Sequence, residues 1–591
     1  MTSTRSRLRP KGPVMSCGKR RRGEDEISLA SATLAYPWQP DHTITRRTAR
    51  IVREAYSVWY ARMGPITHQL PADKVQSLFN EMQLYPTRAQ VSEMLHCAKE
   101  CADRNTASYL TFGEFCLFAT ELKRCYDKGI PRSNHLARLL ERDGQEKKRQ
   151  TRKMSKTLSK QEVFLGGSCN PTTWRHDIAI PLLKNLGITY YNPQVAEWSA
   201  ELIEQEYLAK QSATVLFYVI DRQTRNIVGM IEAANFAGAR RKLVLVIDSY
   251  KPGQTVGGEL ISSELAIADE ESACFNSNVH EYEELNGGIL MLQDLVERQG
   301  IPVFNNIPIA INCTAKVLRE KLTVQDLTVT DMAQPVKMGH LQVGDKLIKL
   351  RQAFDALDSS RSGQISLTDV CMAYRLMTNR KLSVTELRNI VSGQTGNGES
   401  TTKVNFEEFC TIVAELKGGS NGVAEKWTLC GRPLRALPVN NTCLRDVFLA
   451  GDLADYTWAL QLAIPFLKKN KLSYYTVNEN QTGQKHVLDP SDAAAIDSSF
   501  LLLFNITSHT RALSLMTMAA HYIGLGCNVV LCVQHISEGS IFGTEKLSQD
   551  AVNDYNRGRV YLMDLARRDR IPVFQTIQEA IDCVIEKCTS R

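Results

Sequence analysis

The sequence predicts a duplicated protein of mixed class: two α/β domains built on doubly wound parallel sheets, each preceded by an all-α helical pair. Three observations predict it. Long stretches of the first half recur in the second, continuous Val/Leu/Ile runs alternate with helical patterns, and an amphipathic helix, polar loop and second helix precede each such region.

The repeat is the strongest of the three. VFLGGSCNPTTWRHDIAIPLLKNLGITYY from Val163 returns as VFLAGDLADYTWALQLAIPFLKKNKLSYY from Val447, with thirteen of twenty-nine positions identical and no gap. IPVFNNIPIAINC from Ile301 returns as IPVFQTIQEAIDC from Ile571, and upstream FGEFCLFATELK from Phe112 returns as FEEFCTIVAELK from Phe406. The duplicated unit therefore contains both parts. A period of roughly 290 residues marks duplicated multi-domain modules, whereas solenoid repeats run to roughly 20–50 residues.

A chain of 591 residues exceeds what one core supports. The pattern divides it into a basic tail over 1–44, a helical pair over 45–125, a basic linker over 126–160 and an α/β domain over 161–320. A linker over 321–344 follows, then a second helical pair over 345–418, a linker over 419–444 and a second α/β domain over 445–588. The tail has no apolar period and reads as disordered. Its run Lys19, Arg20, Arg21, Arg22 is either a nuclear-import signal or, the commoner case, a solvated charge run.

Composition excludes several classes. The net charge of +7 is small for this length and concentrates in the tail and the linker before residue 160, which argues against a nucleic-acid partner. No stretch reaches the roughly 18 apolar residues of a membrane span, so no membrane partner is expected, and the cytoplasm or the nucleus is the expected location. The sixteen cysteines lie scattered through apolar patterns without paired CxxC spacing and read as reduced core residues.

Chemistry enters with the helical pairs. LRQAFDALDSSRSGQISLTDVCMAYRLM resembles an EF-hand, a twelve-residue loop between two helices. Loop positions one, three, five, seven, nine and twelve are Asp358, Ser360, Ser362, Gln364, Ser366 and Asp369, with Gly363 at the sharp turn and Ile365 placed to pair with the partner loop. Calcium takes six to eight oxygens, and carboxylates stand only at the two ends, so weak calcium binding, or magnesium in its place, is the cofactor expectation. No organic cofactor is evident. The loop ending at Glu408 lacks the glycine, the loop from Asp103 to Glu114 has Ala107 and Ser108 at positions five and six, and the loop between Trp59 and Lys74 has no ligand pattern. These three read as structural.

The α/β runs VFLGG, ITYY, TVLFYVID, KLVLVID and IPVF, separated by helices, indicate a flavodoxin-like parallel sheet covered on both faces. Ligands of such sheets sit at the carboxyl ends of the strands, where Gly166, Gly167, Ser168 and Asp221 fall. MIEAANFAGARRKLVLVI from Met230 resembles the helix-to-strand segment of the nucleoside 2-deoxyribosyltransferases. The resemblance places Glu232 at the family's nucleophile and Glu206 at a second carboxylate that contacts the nucleoside. Asn226 stands where the family has an acidic residue, which departs from the pattern. GGSCNPTTWRHD fits a more divergent branch of the family, in which Asn170, Trp174 and Arg175 follow the first strand. A carboxylate nucleophile can form a covalent glycosyl intermediate that reopens from the opposite side. Without that chemistry, Glu232 would be a surface carboxylate near a helix start, favoured there by the macrodipole. Trp174 and Trp458 are weighed as anchors of the first helix, and Arg225 and its repeat Arg511 as phosphate ligands or helix caps.

Alignment of Gly238 with Gly524 puts Met518 at the place of Glu232, Ala459 at Arg175 and Ala454 at Asn170, so the second copy reads as a pseudoenzyme. Two functions follow. One is an intracellular regulatory scaffold that binds protein partners through the helical pairs and the pseudoenzyme. The arrangement is similar to that of the animal Raw family, which is linked to developmental signalling. The other is an enzyme that cleaves or transfers the N-glycosidic bond of a nucleoside, nucleotide or NAD-like partner through Glu232.

Overall fold

The computed structural model describes residues 50–102, 104, 108–128, 161–195, 201–251, 253–261, 281–337, 344–358, 360–378, 381–388, 403–418, 445–451, 457–476, 490–542 and 545–590. The tail, most of the linkers at 126–160 and 419–444, Asp103, Asn105, Ala107, Ala454 and the loop over 397–402 lie outside the described residues.

The first helical pair comprises α1 (Arg50–Met63), β1 (Leu70–Pro71), α2 (Ala72–Glu81), α3 (Arg88–Cys101), β2 (Tyr109–Leu110) and α4 (Phe112–Lys128). The first α/β domain follows as β3 (Val163–Gly167), α5 (Ile180–Asn185), β4 (Tyr190–Tyr191), α6 (Glu201–Ser212), β5 (Val215–Ile220), α7 (Ile227–Gly238) and β6 (Leu243–Ile247). A hairpin of β7 (Thr255–Val256) and β8 (Glu259–Leu260) leads to α8 (Glu281–Arg298), β9 (Val303–Phe304) and α9 (Ile307–Arg319). The second helical pair has α10 (Asp345–Leu357), β10 (Gln364–Ser366), α11 (Leu367–Thr378), β11 (Lys403–Asn405) and α12 (Phe406–Gly418). The second α/β domain repeats the first as β12 (Arg445–Gly451), α13 (Ile464–Lys469), β13 (Tyr474–Thr476), α14 (Pro490–Ser498), β14 (Ser499–Ile506), α15 (Leu513–Gly524) and β15 (Val529–Val533). It closes with a hairpin of β16 (Ile541–Phe542) and β17 (Glu545–Lys546), then α16 (Gln549–Arg568), β18 (Val573–Phe574) and α17 (Ile577–Thr589).

Both five-stranded sheets form where the sequence supplies uninterrupted apolar runs. Their orders are β4-β3-β5-β6-β9 and β13-β12-β14-β15-β18, parallel throughout, with Val163 opposite Val215 in one and Val447 opposite Leu501 in the other. All six residues of β5 are buried, as a strand covered on both faces requires. This is the flavodoxin-like doubly wound arrangement, present twice.

A detail common to both copies follows from one proline. Pro181 and Pro465 stand at the start of α5 and α13 and have no N–H to donate, and the turn before each widens into a π-helix over Arg175–Ala179 and Ala459–Ala463.

The two α/β domains share one apolar core across α7 and α15. Gly238 and Gly524 let the helices touch: a Cβ on Gly238 would run into the carbonyl oxygen of His521, and one on Gly524 into that of Asn235. The hydrogen bonds obey the same internal symmetry. Asn235 Nδ2 donates to Ala520 O at 3.1 Å, and His521 Nδ1, at the repeat-equivalent position, donates to Ala234 O at 3.1 Å. The helical pairs also share a single core, and Gly113 on α4 lies directly against the Glu407 carbonyl on α12. Within each pair a two-stranded antiparallel ladder joins the loops, Leu70 with Leu110 and, as the spacing predicts, Ile365 with Val404.

The segment read as a linker over 321–344 is packed in its described part. It makes two single 3-10 turns, buries Val324 and Leu327, and pairs the Gln334 amide with that of Asn80. No helix among the described residues is long and apolar enough to cross a membrane.

Candidate active site

Glu206 and Lys210 are one turn apart on α6, so both point from the same face of the helix. That face meets α7, where Glu232 projects back. Lys210 Nζ donates to Glu232 Oε1 at 2.5 Å and to Glu206 Oε1 at 2.7 Å. From the sheet below, Tyr218 in the middle of β5 donates its hydroxyl to Glu232 Oε2 at 2.9 Å. Gly166 on β3 makes room for the Tyr218 ring, because any Cβ there would overlap it. The cluster is thus two carboxylates bridged by one ammonium, with a phenol on the deeper carboxylate.

Burial decides its electrostatics. Glu232 is 8% exposed and lies in the second turn of α7. The alternative of a surface carboxylate at the start of that helix is therefore overturned. Burial pushes the Glu232 carboxyl above the usual range against the pull of Lys210. For Lys210, burial would favour loss of the proton, but the two carboxylates outweigh it and hold the ammonium above its ordinary value. Burial, then the Glu232 charge, raises Tyr218 far above its ordinary value, which keeps it a neutral donor.

The other residues expected at the site are committed elsewhere. Asp221 turns into its own loop, accepting from Gln223 N at 2.6 Å, while its own N–H donates to Ser168 Oγ at 2.9 Å. Ser168 Oγ also accepts from Asn226 Nδ2 at 2.8 Å. Arg175 is fully buried and donates to the carbonyls of Leu165, Gly167 and Ser168, which locks the β3 turn. Trp174 Nε1 donates to Ser168 O at 3.1 Å, the anchoring role weighed for it. Asn170 Oδ1 accepts from Gln194 Nε2 at 2.7 Å. Arg225 is neither a cap nor a free anion ligand: it pairs with Glu281 at 2.7 Å, with Glu259, and across the domain interface with Asp554 at 3.6 Å. Arg511, its repeat, pairs with Glu545 at 2.8 Å.

The second copy has replaced the cluster as a set. The register that pairs Gly238 with Gly524 puts Met518, Ile496 and Phe504 at the places of Glu232, Lys210 and Tyr218, and all three are buried. Asp492 stands at the place of Glu206 and accepts from Tyr475 OH at 2.9 Å. The carboxylate, ammonium and phenol are gone together, and the same strand order stands without them.

A cleft of 390 Å³ opens at the carboxyl ends of β6 and β9, between Arg88, Asp248, Lys251 and Asn305, and takes in none of Glu206, Lys210 or Glu232. In the second helical pair, Asp358 accepts from Ser362 N at 3.0 Å, Gly363 N at 2.7 Å and Ser360 Oγ at 3.1 Å, and Gly363 takes a φ of +73°. Burial opposes ionisation of Asp358, but the amides of Ser362 and Gly363 hold its carboxyl below the usual range. Asp369 accepts from Ser366 Oγ at 2.6 Å. Gln364 lies in the β10 ladder, and its carbonyl accepts from Ser362 Oγ at 3.1 Å. No three His, Cys, Asp or Glu side chains gather as a metal cluster among the described residues.

Lys210 and Tyr218 are the members of the site that the sequence reading missed. Their signal was present: an i, i+4 Glu–Lys pair, and a tyrosine in a buried strand whose repeat is phenylalanine.

Residues 160–250 match the family model described as nucleoside 2-deoxyribosyltransferase like. The matched span contains Glu206, Lys210, Tyr218 and Glu232. It covers neither the helical pairs nor the second α/β domain. No solved structure matches the chain.

Proposed function

We propose that the first α/β domain acts on the N-glycosidic bond of a nucleoside-type substrate through Glu232, and that the second α/β domain has lost this chemistry. One observation carries the reading: Glu232, Lys210 and Tyr218 are exchanged together for Met518, Ile496 and Phe504 on the same sheet. A buried ion pair adds little stability over a well-packed apolar core. The second domain has such an apolar core, so the cluster in the first is retained for what it does.

In this reading Lys210 keeps Glu232 ionised against the cost of burial, and Tyr218 orients it. A lone pair of the carboxylate forms a bond to the anomeric carbon. The carbon–nitrogen bond breaks, its electron pair passes to the base nitrogen, and the base takes a proton from solvent. Water or a second base then takes the sugar, breaking the ester bond and restoring the carboxylate. Glu206, with its side chain 24% exposed, faces the sugar hydroxyls. Release of free base from a panel of nucleosides, wild type against Glu232→Ala, tests the reading: the variant is expected to release none, and equal release by both removes it.

The helical pairs serve in this proposal as EF-hand-like regulatory modules. The Asp358 loop, with oxygens from Ser360, Ser362, Gln364, Ser366 and Asp369, fits a weak calcium or magnesium site because only two of its groups carry charge. In calorimetric titration with calcium, Asp358→Ala is expected to abolish binding. Unchanged heat would exclude this loop as the site.

A further inference from the structure

Helix α16 belongs to the second α/β domain but lies over the first domain's cluster. Gly558 seats it on α7: a Cβ there would stand 2.5 Å from Ile227 Cγ2 and 3.3 Å from Ile231 Cδ1. Three turns on, Arg568 places its guanidinium 4.1 Å from the Tyr207 ring on α6. The helix therefore spans the groove between α6 and α7 in which Lys210 and Glu232 meet. Tyr561 lies one turn beyond Gly558, between these two anchors, and is half-buried. Burial, then the charge of Glu232, pushes its phenol up to about 12, with Lys210 and Glu206 also acting on it. At neutral pH it is an uncharged O–H donor, and its i, i+3 spacing from Gly558 and i, i+7 spacing to Arg568 put it on the face of α16 that packs on α7 and α6.

The internal symmetry supplies a second observation. In the mirrored arrangement α8 of the first domain lies over α15, with Gly288 seated where a Cβ would stand 2.5 Å from Leu513 Cδ2, as a Cβ on Gly558 would from Ile227 Cγ2. That register puts Met291 at the place of Tyr561, buried in the same core as Met518. Where the carboxylate has been lost, the covering hydroxyl is absent as well.

We infer that Tyr561 is a ligand-facing residue of the first domain's site, so that the diverged second copy supplies the roof and one hydrogen-bond donor for chemistry it no longer performs. The inference rests on the glycosidic reading above and adds a contact to it. The donor class suits the acceptor nitrogen or carbonyl of a heteroaromatic base, whose nitrogen gains electrons as the sugar bond breaks.

The test uses the full chain with Tyr561→Phe, Tyr561→Ala and, as the symmetry control, Met291→Leu, beside wild type and Glu232→Ala on the nucleoside panel. Tyr561→Phe keeps the packed ring, so its thermal midpoint is expected to stay at the wild-type value while kcat/KM falls about tenfold. Tyr561→Ala is expected to lose both, and Met291→Leu to leave kcat/KM unchanged. A Tyr561→Phe variant with wild-type kcat/KM overturns the inference. If wild type and Glu232→Ala release base equally, the glycosidic reading falls, and Tyr561 is judged by urea denaturation of Tyr561→Phe, Glu232→Gln and the double variant. Non-additive stabilities then uphold the placement of Tyr561 in the same groove as Glu232, and additive ones overturn it.

Discussion

Replacing Lys210 with isoleucine, the residue the second copy carries there, should destabilise the first α/β domain far more than a lysine substitution ordinarily does. The side chains of Lys210 and Glu232 are 9% and 11% exposed, so water screens their pairing little. Removal of the ammonium leaves Glu232 and Glu206 facing each other without a cation, and breaking a buried pair in this way costs about 3–5 kcal/mol. Glu232 can limit that loss by taking up a proton, because burial already pushes its carboxyl up. A folded-state pKa raised above the unfolded one gives stability that is present at low pH and lost as pH rises through the folded value. Lys210→Ile should therefore be much less stable than wild type at pH 8 and closer to it at pH 5. The triple variant Lys210→Ile, Tyr218→Phe, Glu232→Met transplants the second copy's apolar set and should recover the loss, since replacing a whole buried ionic group by apolar residues is neutral or gains about 1–4 kcal/mol. Urea denaturation at the two pH values measures both. A single variant that loses less than about 1 kcal/mol at pH 8 would refute the claim that the pair is shielded from water, and a triple variant as unstable as the single would refute the claim that the cluster is a functional rather than a stabilising device.

Two further outcomes follow from the domain interface. His521 is buried against Ala234 O, and burial, with Arg298 adding to it, lowers its pKa from 6.5 to about 4. The unfolded chain takes the proton first as pH falls, so stability present above 6.5 is lost on the way down to about 4, by up to roughly 3 kcal/mol. His521→Asn keeps a donor of the kind Asn235 uses and should remove most of this acid sensitivity, as read from thermal midpoints between pH 7 and 4. An unchanged pH profile would assign the sensitivity to other groups. Gly524→Ala would drive a methyl into the Asn235 carbonyl on α7, at a cost of about 1–3 kcal/mol or more from overpacking. A wild-type thermal midpoint would contradict the close helix crossing.

Much of the fold could be read in the chain because its signals are local. VFLGG, TVLFYVID and KLVLVID announced buried parallel strands, and the repeat aligned Met518 with Glu232 before any geometry was known. Glu206 and Glu232 were placed by resemblance, and the fold brings both to one lysine. Lys210 and Tyr218 were missed because a lysine on a helix and a tyrosine in a strand are ordinary until packing removes their water. Arg225 misled for the converse reason: its partners Glu259, Glu281 and Asp554 are distant in sequence, and one of them lies in the other domain.

What the chain alone determined is the duplication, the order of strands and helices, and which copy keeps a carboxylate at the decisive helix, since each of these is written in periodicity and in aligned residues. Only the tertiary structure decided that Glu232 is buried beside an ammonium and that a helix of the second copy roofs the groove. Charge state and access depend on what surrounds a side chain in space, and residues far apart in sequence supply those surroundings.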